Sequence, residues 1–202
     1  MTLRRAFAAA GNVLLPVLAL AALWQGSVVL LHVSPAYFPS LGVVLGQLAS
    51  QPGAYASAFG HTLLETVIGF VAGAVIGVGA GIVFAEVRLL REMLFPLVIV
   101  SQTIPVIAFG AIVVLWFGNG LAAKAVIAFY LTFFPVVVNT LIGLQSVDPS
   151  QLALLRSFGA GRRKLLRILK LPAALPQIFV ALRLGASLSL VCLLYTSPSP
   201  RD

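Results

Sequence analysis

The feature that most constrains this chain is a series of long apolar stretches separated by short charged turns. Of its 202 residues, 60% are hydrophobic and only 9% are charged, whereas soluble domains carry about 25% charged residues. A helix needs about 20 apolar residues to cross a bilayer. The pattern therefore predicts an all-α, polytopic transmembrane helical bundle, with about five spans present in this sequence.

The apolar stretches and their breaks set the expected positions of the spans. Five are predicted, at about residues 12–33, 60–85, 93–117, 121–144 and from Pro176 onward. Residues 34–59 are too polar and too broken to cross, although residues 40–50 fit a short interfacial helix. Proline at Pro96 and Pro105 removes a backbone hydrogen bond, so the third span is expected to kink.

The distribution of basic residues predicts topology. A formal charge of +8 is by itself compatible with nucleic-acid binding. Ten of the thirteen basic residues, however, fall in three stretches that alternate with loops almost free of Lys and Arg. This is the positive-inside pattern of a multi-pass protein with a cytoplasmic N-terminus. No basic stretch carries interleaved aromatic residues that stack on bases, so no nucleic-acid partner is expected.

Residues 145–172 combine a helix start, an apolar face and a glycine turn. The run Asp-Pro-Ser at residues 148–150 supplies a capped helix start. Gly-Ala-Gly at residues 159–161 ends this helix, and a second, basic helix is expected from about Arg162. Between them, apolar residues recur at helical spacing at Leu152, Leu155 and Phe158. Two short helices meeting at a glycine corner are therefore predicted.

The residues leave two interpretations of this segment open. A bent helix pair with one apolar face can pack into a groove of a cytosolic protein. A basic amphipathic helix can instead lie on anionic lipid. The second interpretation explains the charges, but it does not explain the glycine corner.

The segment resembles the cytoplasmic coupling loop of bacterial ABC-importer permeases, whose motif is Glu-Ala-Ala-x-x-x-Gly followed by Leu-Pro. Gly159 matches the glycine and Leu171-Pro172 the Leu-Pro pair, whereas Ala153, Leu154 and Leu155 stand where the motif has Glu-Ala-Ala. The motif's glutamate is therefore absent. The residues that the resemblance assigns to ATPase coupling are Leu152, Ala153, Leu155, Phe158, Gly159, Ala160, Leu171 and Pro172.

Further runs extend the resemblance to one subgroup of these permeases. Ser-Gln-Thr-Ile-Pro at residues 101–105, Leu-Trp-Phe-Gly at 115–118 and Phe-Pro-Val-Val-Val-Asn-Thr at 134–140 are similar to permeases that import nitrate, taurine, alkanesulfonates and thiamine-precursor pyrimidines. The implied fold is that of a methionine-importer-like permease, with six spans in the complete protein.

The resemblance implies a transport subunit rather than an enzyme. Its expected partners are cytosolic ATPase subunits, a second permease copy in a homodimer, and a periplasmic or lipid-anchored substrate-binding protein, in the bacterial inner membrane. The chain has no Gly-x-x-x-x-Gly-Lys-Ser/Thr loop, which would hold nucleotide phosphates. No cofactor is therefore expected on this chain, and the resemblance implies ATP and Mg²⁺ on the partner ATPase. No metal is expected either, because His32 and His61 have no carboxylate or cysteine at ligand spacing. The alternative function is a stand-alone secondary transporter or channel, which needs membrane-embedded acids for ion coupling.

Polar and small residues within the spans suggest three further groups. Gly69, Gly73, Gly77 and Gly81 recur every four residues, which predicts one helix face for close packing. Glu65 and Lys124 are expected at a similar depth, either as an ion pair or as independent groups, with Lys124 reaching the interface. Candidates for lining the translocation path are Gln102, Thr103, Thr132, Asn139 and Thr140. For any single one of them, a hydrogen bond between helices is the alternative role and the favoured one.

The last residues differ in composition from the rest of the chain. At about residue 192 the apolar pattern changes to a Pro/Ser run whose possible back-translation resembles a sequencing-library adapter. Residues 1–191 are therefore predicted to form one transmembrane permease domain, truncated at its C-terminus, with its coupling loop at 145–172. Residues 192–202 are predicted to be a non-native read-through tail.

Overall fold

A computed structural model describes the backbone of residues 2–30, 34 and 37–196 and the side chains of residues 14–30, 34 and 37–190. Within these ranges every regular element is helical, which confirms the predicted all-α fold. The chain divides into two compact units, Met1–Ala58 and Phe59–Asp202. The helices are α1 (Thr2–Leu30), α2 (Leu41–Ser50), α3 (Pro52–Glu86), α4 (Arg88–Ser101), α5 (Val106–Phe117), α6 (Leu121–Gln145), α7 (Pro149–Ser157), α8 (Arg162–Leu165), a π-turn (Leu166–Lys170) and α9 (Leu171–Thr196).

The first unit folds the connection before α2 back onto α1. The indole N–H of Trp24 donates to the Pro39 carbonyl at 3.0 Å, and the Gln25 side-chain oxygen accepts from the Leu41 amide at 3.1 Å. Ser40 caps α2, because its side chain accepts a hydrogen bond from the Val43 amide. The short helix predicted over residues 40–50 is therefore present as α2.

A glycine face joins α3 to α6 in the second unit. A Cβ atom built at Gly69 would lie 2.3 Å from the Ala125 carbonyl oxygen, and one built at Gly81 would lie 2.6 Å from Thr140 Cβ. Residues further along α3 thus face residues further along α6, so the two helices run parallel. Because glycine has no side chain, their backbones approach within contact distance along this seam.

The predicted third span is two helices rather than one kinked helix. α4 and α5 are bent by 96° across residues 102–105. Pro105 lacks the amide that would continue α4, and proline also disfavours helical backbone at the residue before it. The side-chain hydroxyls of Ser101 and Thr103 donate to carbonyls of the last turn of α4. The expectation of a kink at Pro105 is therefore corrected to a full break.

The parallel packing of α3 and α6 shows that α4 and α5 together cross the bundle once. Val98 of α4 packs with Val137 and Leu141 near the end of α6, whereas Val113 of α5 packs with Ala123 and Ile127 near its start. Between Glu86 and Leu121 the chain therefore passes, through α4 and α5, from the level of the end of α6 to the level of its start. α3, α6 and the stretch Arg162–Leu190 are each long and apolar enough to span a membrane, and the bent pair of α4 and α5 together passes the same test of length and composition.

The last span begins earlier than predicted. Instead of starting near Pro176, the helix is continuous from Arg162 to Thr196 through the π-turn. The Leu171 amide donates to the Leu166 carbonyl, five residues back, and this shift of the hydrogen-bond ladder directly precedes Pro172, which has no amide to donate. α9 runs antiparallel to α6, because Gly143 faces Ala174 and Gly185 faces Thr132. Of the predicted tail, residues 197–202 lie outside the described residues.

Candidate functional site

A capped helix with a left-handed glycine projects from one end of the second unit. The Asp148 carboxylate accepts a hydrogen bond from the Ser150 amide at 2.8 Å, which caps α7. Hydrogen bonds from the Ser150 backbone and side chain lower the pKa of the Asp148 carboxyl below its ordinary value. Gly159 has φ +77°, and the amides of Gly159 and Ala160 close the last turn on Arg156 and Leu155 at 2.9 and 3.0 Å. The end geometry of α7 is therefore defined by local bonds.

Among the described residues, the apolar side chains of α7 have little to pack against. No residue of α7 is buried. Phe158 is 76% exposed and Leu154 is 58% exposed, whereas Leu152 and Leu155 are half-buried and Ala153 is exposed. These side chains lie beside basic residues, outside the helices that are long enough to span a membrane. The exposed surface formed by Leu154 and Phe158 is named here the α7 apolar face.

The basic helix after the glycine corner is not a free second helix. α8 continues through the π-turn into the last span, so Leu171 and Pro172 form the first turn of α9. Leu165 is buried, and Leu166 and Leu171 pack on the cluster of Leu144, Ala174 and Ile178. The predicted pair of short helices is therefore one short helix, α7, attached by a glycine turn to the end of a long one.

Glu86 connects this basic helix to the end of α3. Lys170 Nζ donates to Glu86 Oε1 at 2.6 Å, and Arg162 Nε lies 4.0 Å from Glu86 Oε2. The Lys170 and Glu86 side chains are only 20% and 22% exposed, whereas Arg162 is almost fully exposed. Sequence reasoning missed this contact, because Glu86 falls in the short stretch between the second and third predicted spans, far along the chain from Lys170. The sequence signal for a partner was the position of Glu86 at the C-terminal end of a predicted helix, where the helix dipole disfavours negative charge.

Glu65 and Lys124 lie together at one end of the glycine seam. Lys124 Nζ is 3.3 Å from Glu65 Oε2, and their side chains are 10% and 7% exposed, respectively. This placement favours the pair over independent groups reaching water. Among the described residues, Oε2 of Glu65 has no partner with hydrogen-bond geometry, so the contact is mainly ionic. Glu65 precedes Gly69 by one turn and thus lies on the same face of α3.

The five candidate path residues are not brought together. Thr132 is fully buried where α3, α6 and α9 meet, and its hydroxyl lies 3.1 Å from that of Ser189. Thr140 is buried against Gly81, and its hydroxyl has no hydrogen-bond partner among the described residues. Asn139 donates to the Pro135 carbonyl of its own helix at 2.9 Å. In this structure Thr132 and Thr140 therefore lie at contacts between helices, and Asn139 bonds the backbone of its own helix.

A cleft of about 140 Å³ lies beside the break between α4 and α5, and Gln102 lines it. Thr103 follows on the same break but bonds the end of α4 through its hydroxyl. Sequence reasoning missed Tyr130, which also lines the cleft and donates to the Ser101 carbonyl. The other lining residues are apolar: Ile104, Val106, Leu131, Phe134, Pro135 and Leu188. Gln102 and Tyr130 are thus the polar groups of a mostly apolar cleft near the middle of α6.

Comparison with known proteins gives a family match over most of the second unit. Residues 69–192 match the family described as "Binding-protein-dependent transport system inner membrane component". The match includes the glycine seam, the helix break, α7 and the basic helix, whereas Glu65 lies before its start.

Several relatives of moderate sequence identity are named as permease proteins of transport systems. The riboflavin transport system permease protein RibX of Chloroflexus aurantiacus is 37% identical over 52% of this chain and 39% of its own length. A protein of Haemophilus influenzae named "Probable ABC transporter permease protein" is 34% identical over 83% of this chain and 68% of its own length. The formylaminopyrimidine transport permease protein ThiX of Halalkalibacterium halodurans is 35% identical over 64% of this chain. The chain spans 52% of the length of ThiX, so it covers well under two thirds of two of these relatives.

Proposed function

The chain belongs to the family of binding-protein-dependent transport system inner membrane components, and on that premise we propose that it is the permease subunit of an ATP-driven importer. It is a multi-pass integral membrane protein. The proposed assembly pairs it with a second permease copy, with cytosolic ATPase subunits that hold ATP and Mg²⁺, and with a substrate-binding protein outside the membrane. In this proposal the chain itself carries no hydrolytic step.

The observation that carries the proposal is the α7 apolar face. A 76% exposed phenylalanine on a capped helix, outside the apolar spans, fits the insertion of a helix into a hydrophobic groove of another protein. Phe158 and Leu154 supply the apolar anchors, and the left-handed Gly159 holds the end of the helix. We therefore propose that α7 docks in the partner ATPase.

The basic end of the bundle supports a cytoplasmic location for α7. Arg88, Arg91, Lys170 and the run Arg-Arg-Lys at residues 162–164 lie near the end of α3 and the start of α9. Short loops rich in Lys and Arg stay on the cytoplasmic side of a membrane. We therefore propose that the N-terminus is cytoplasmic too, with α1 crossing the bacterial inner membrane once.

The proposed solute is a small organic or anionic molecule of the pyrimidine or thiamine-precursor, sulfonate, taurine or nitrate type. This range follows the names of relatives, which include the formylaminopyrimidine permease ThiX, the Escherichia coli taurine permease TauC and the Synechocystis nitrate permease NrtB. Gln102 at the break of the third span is the proposed polar contact along the path.

Phe158→Asp is expected to weaken binding of the partner ATPase strongly while the membrane bundle stays folded. The substitution places a charge where an apolar anchor would enter a groove, and Phe158 itself is 76% exposed. Loss of a central aromatic anchor costs about 2–4 kcal/mol, or roughly a 30- to 800-fold weaker Kd. The measurement is co-purification with the ATPase, together with solute uptake into proteoliposomes supplied with ATP and the binding protein.

Ser157→Asp is the matched control, since it adds the same charge one residue earlier at an exposed polar position. Retention of ATPase binding by Phe158→Asp would contradict the docking of α7. Uptake by the wild type in ATPase-free vesicles under an ion gradient would instead support a stand-alone secondary transporter.

Gly159→Ala is expected to weaken ATPase binding, whereas Gly161→Ala is expected to leave it unchanged. Neither glycine has a neighbour within 4 Å of a built Cβ, but Gly159 has φ +77° and Gly161 has φ −71°. A side chain in the left-handed region costs about 1–2 kcal/mol, which corresponds to about a 5- to 30-fold rise in Kd if the helix end shifts to relieve it. Titration of the ATPase against both variants measures the difference, and equal affinities would contradict a role for the turn geometry.

A further inference from the structure

Glu86 is an acid in an electrostatically unfavourable position. It is the last residue of α3, where the unpaired carbonyls give the helix a partial negative charge. Acidic residues are also rare in this chain, which has only five. Two cations of the basic helix offset this cost, with Lys170 at 2.6 Å and Arg162 at 4.0 Å.

The Lys170 contact is the stronger of the two. Lys170 and Glu86 are both mostly shielded from solvent and make a charge-assisted hydrogen bond. Arg162 is 84% exposed at the limit of ion-pair distance, and exposed pairs contribute little. Lys170 is also the last residue of the π-turn, a type of helix irregularity that often marks functional positions.

The contact joins two elements that are 84 residues apart in sequence. On one side is the basic helix, which follows the α7 glycine turn. On the other side is α3, whose glycine face packs along α6. Leu166 and Leu171 on one side and Val78 and Ile82 of α3 on the other also pack against one buried apolar cluster. Such apolar contacts tolerate sliding, whereas the hydrogen bond between Lys170 and Glu86 holds one register.

We propose that Glu86 is a positioning residue that, through Lys170, ties the basic helix to α3, so that displacement of α7 by an ATPase moves α3 and α6 together with α9. The inference rests on the proposed function, because it requires a partner that displaces α7. Glu86 does not itself contact the ATPase or the solute in this scheme. Its role is to keep the moving elements in one register.

The test measures the number of solute molecules imported per ATP hydrolysed by the full chain, assembled with its ATPase and binding protein in proteoliposomes. Glu86→Gln removes the charge and keeps the shape of the side chain. Substitution of a residue that couples two sites changes the strength of that coupling by about 2- to 30-fold. The ratio is therefore expected to fall by that factor, while the affinity for the ATPase stays unchanged. A purely structural role would lower uptake and hydrolysis in proportion and leave the ratio intact.

Glu92→Gln is the matched control. Glu92 pairs with Arg88 at 2.6 Å in the same charged region, but the pair is exposed and lies within a single helix. Its loss is expected to leave the ratio unchanged. A second variant, Lys170→Gln, guards against misfolding of Glu86→Gln. It should lower the ratio by the same factor, and Glu86→Gln/Lys170→Gln should lower it no further than either single change.

Three results would count against this inference. An unchanged ratio in Glu86→Gln or in Lys170→Gln would overturn it, and so would fully additive losses in the double variant. If the wild-type chain neither binds the ATPase nor stimulates hydrolysis, the proposed function fails first and the inference fails with it. The wild-type measurement therefore separates the two failures.

Discussion

Gly69→Ala is expected to prevent stable assembly of the bundle. The added methyl group would lie 2.3 Å from the Ala125 carbonyl oxygen, 2.6 Å from Ala128 Cβ and 2.9 Å from the Phe129 amide nitrogen. Two of these three atoms are backbone, so no side-chain rotation relieves the overlap. α3 and α6 must separate, which strips contacts at the other three glycines of the seam. Overpacking of this kind costs about 1–3 kcal/mol and sometimes more.

Gly79→Ala on the same helix is the matched control. No atom of the described residues lies within 4 Å of a Cβ built at Gly79, and alanine is favoured over glycine in a helix by about 1 kcal/mol. This variant is expected to unfold at the wild-type temperature or slightly above it. The measurement is thermal unfolding of the purified chain in detergent, together with the yield of monodisperse protein. Equal unfolding temperatures for Gly69→Ala and Gly79→Ala would contradict a tight seam.

Removing one member of the buried ion pair is expected to destabilise the bundle at least as much as Gly69→Ala does. Glu65→Gln leaves the Lys124 ammonium buried without its counter-ion, and Lys124→Met leaves the Glu65 carboxylate in the same position. Breaking a buried pair in this way destabilises a protein by about 3–5 kcal/mol. The charge-exchanged variant Glu65→Lys/Lys124→Glu restores the attraction and is expected to recover a large part of the lost stability. Thermal unfolding in detergent again measures the effect.

The exposed pair Arg88–Glu92 provides the comparison for the buried one. Both of its side chains are more than half exposed, so Glu92→Gln is expected to cost only about 0.3–0.5 kcal/mol. Failure of the charge exchange to improve on the single charge reversals would contradict a direct interaction between Glu65 and Lys124. Equal effects of Glu65→Gln and Glu92→Gln would show that burial adds nothing to the contact.

The break in the third span shows which part of a helix bend local sequence rules can predict. Pro105 predicted a perturbed helix, because proline removes one hydrogen bond and restricts its neighbour. Whether the helix kinks or breaks depends on what replaces the lost bonds. Here Ser101 and Thr103 bond the end of α4, and Tyr130 of α6 donates to the Ser101 carbonyl. The last of these partners is 29 residues away, so the size of the bend depended on tertiary contacts.

The candidate path residues illustrate a different limit. Thr132 and Asn139 were selected as polar residues in apolar surroundings, where such groups are costly unless they are bonded. A polar side chain in a span satisfies its bonds either along a path or at a helix contact. Thr132 uses Ser189 of α9 for this purpose. Its sequence neighbourhood contains no information about α9, so the choice between the two roles could not be made in advance.

The amino-acid sequence determined by itself the all-helical membrane character of the chain, the capped start of α7, the left-handed turn at Gly159 and the existence of a small-residue face on α3. Each of these depends on residues within one or two helical turns, where hydropathy, capping and backbone freedom act locally. Only the tertiary structure decided that α6 packs on that face in parallel orientation, and that Glu86 pairs with Lys170. Those contacts join residues tens of positions apart, and many alternative pairings satisfy the same local preferences equally well.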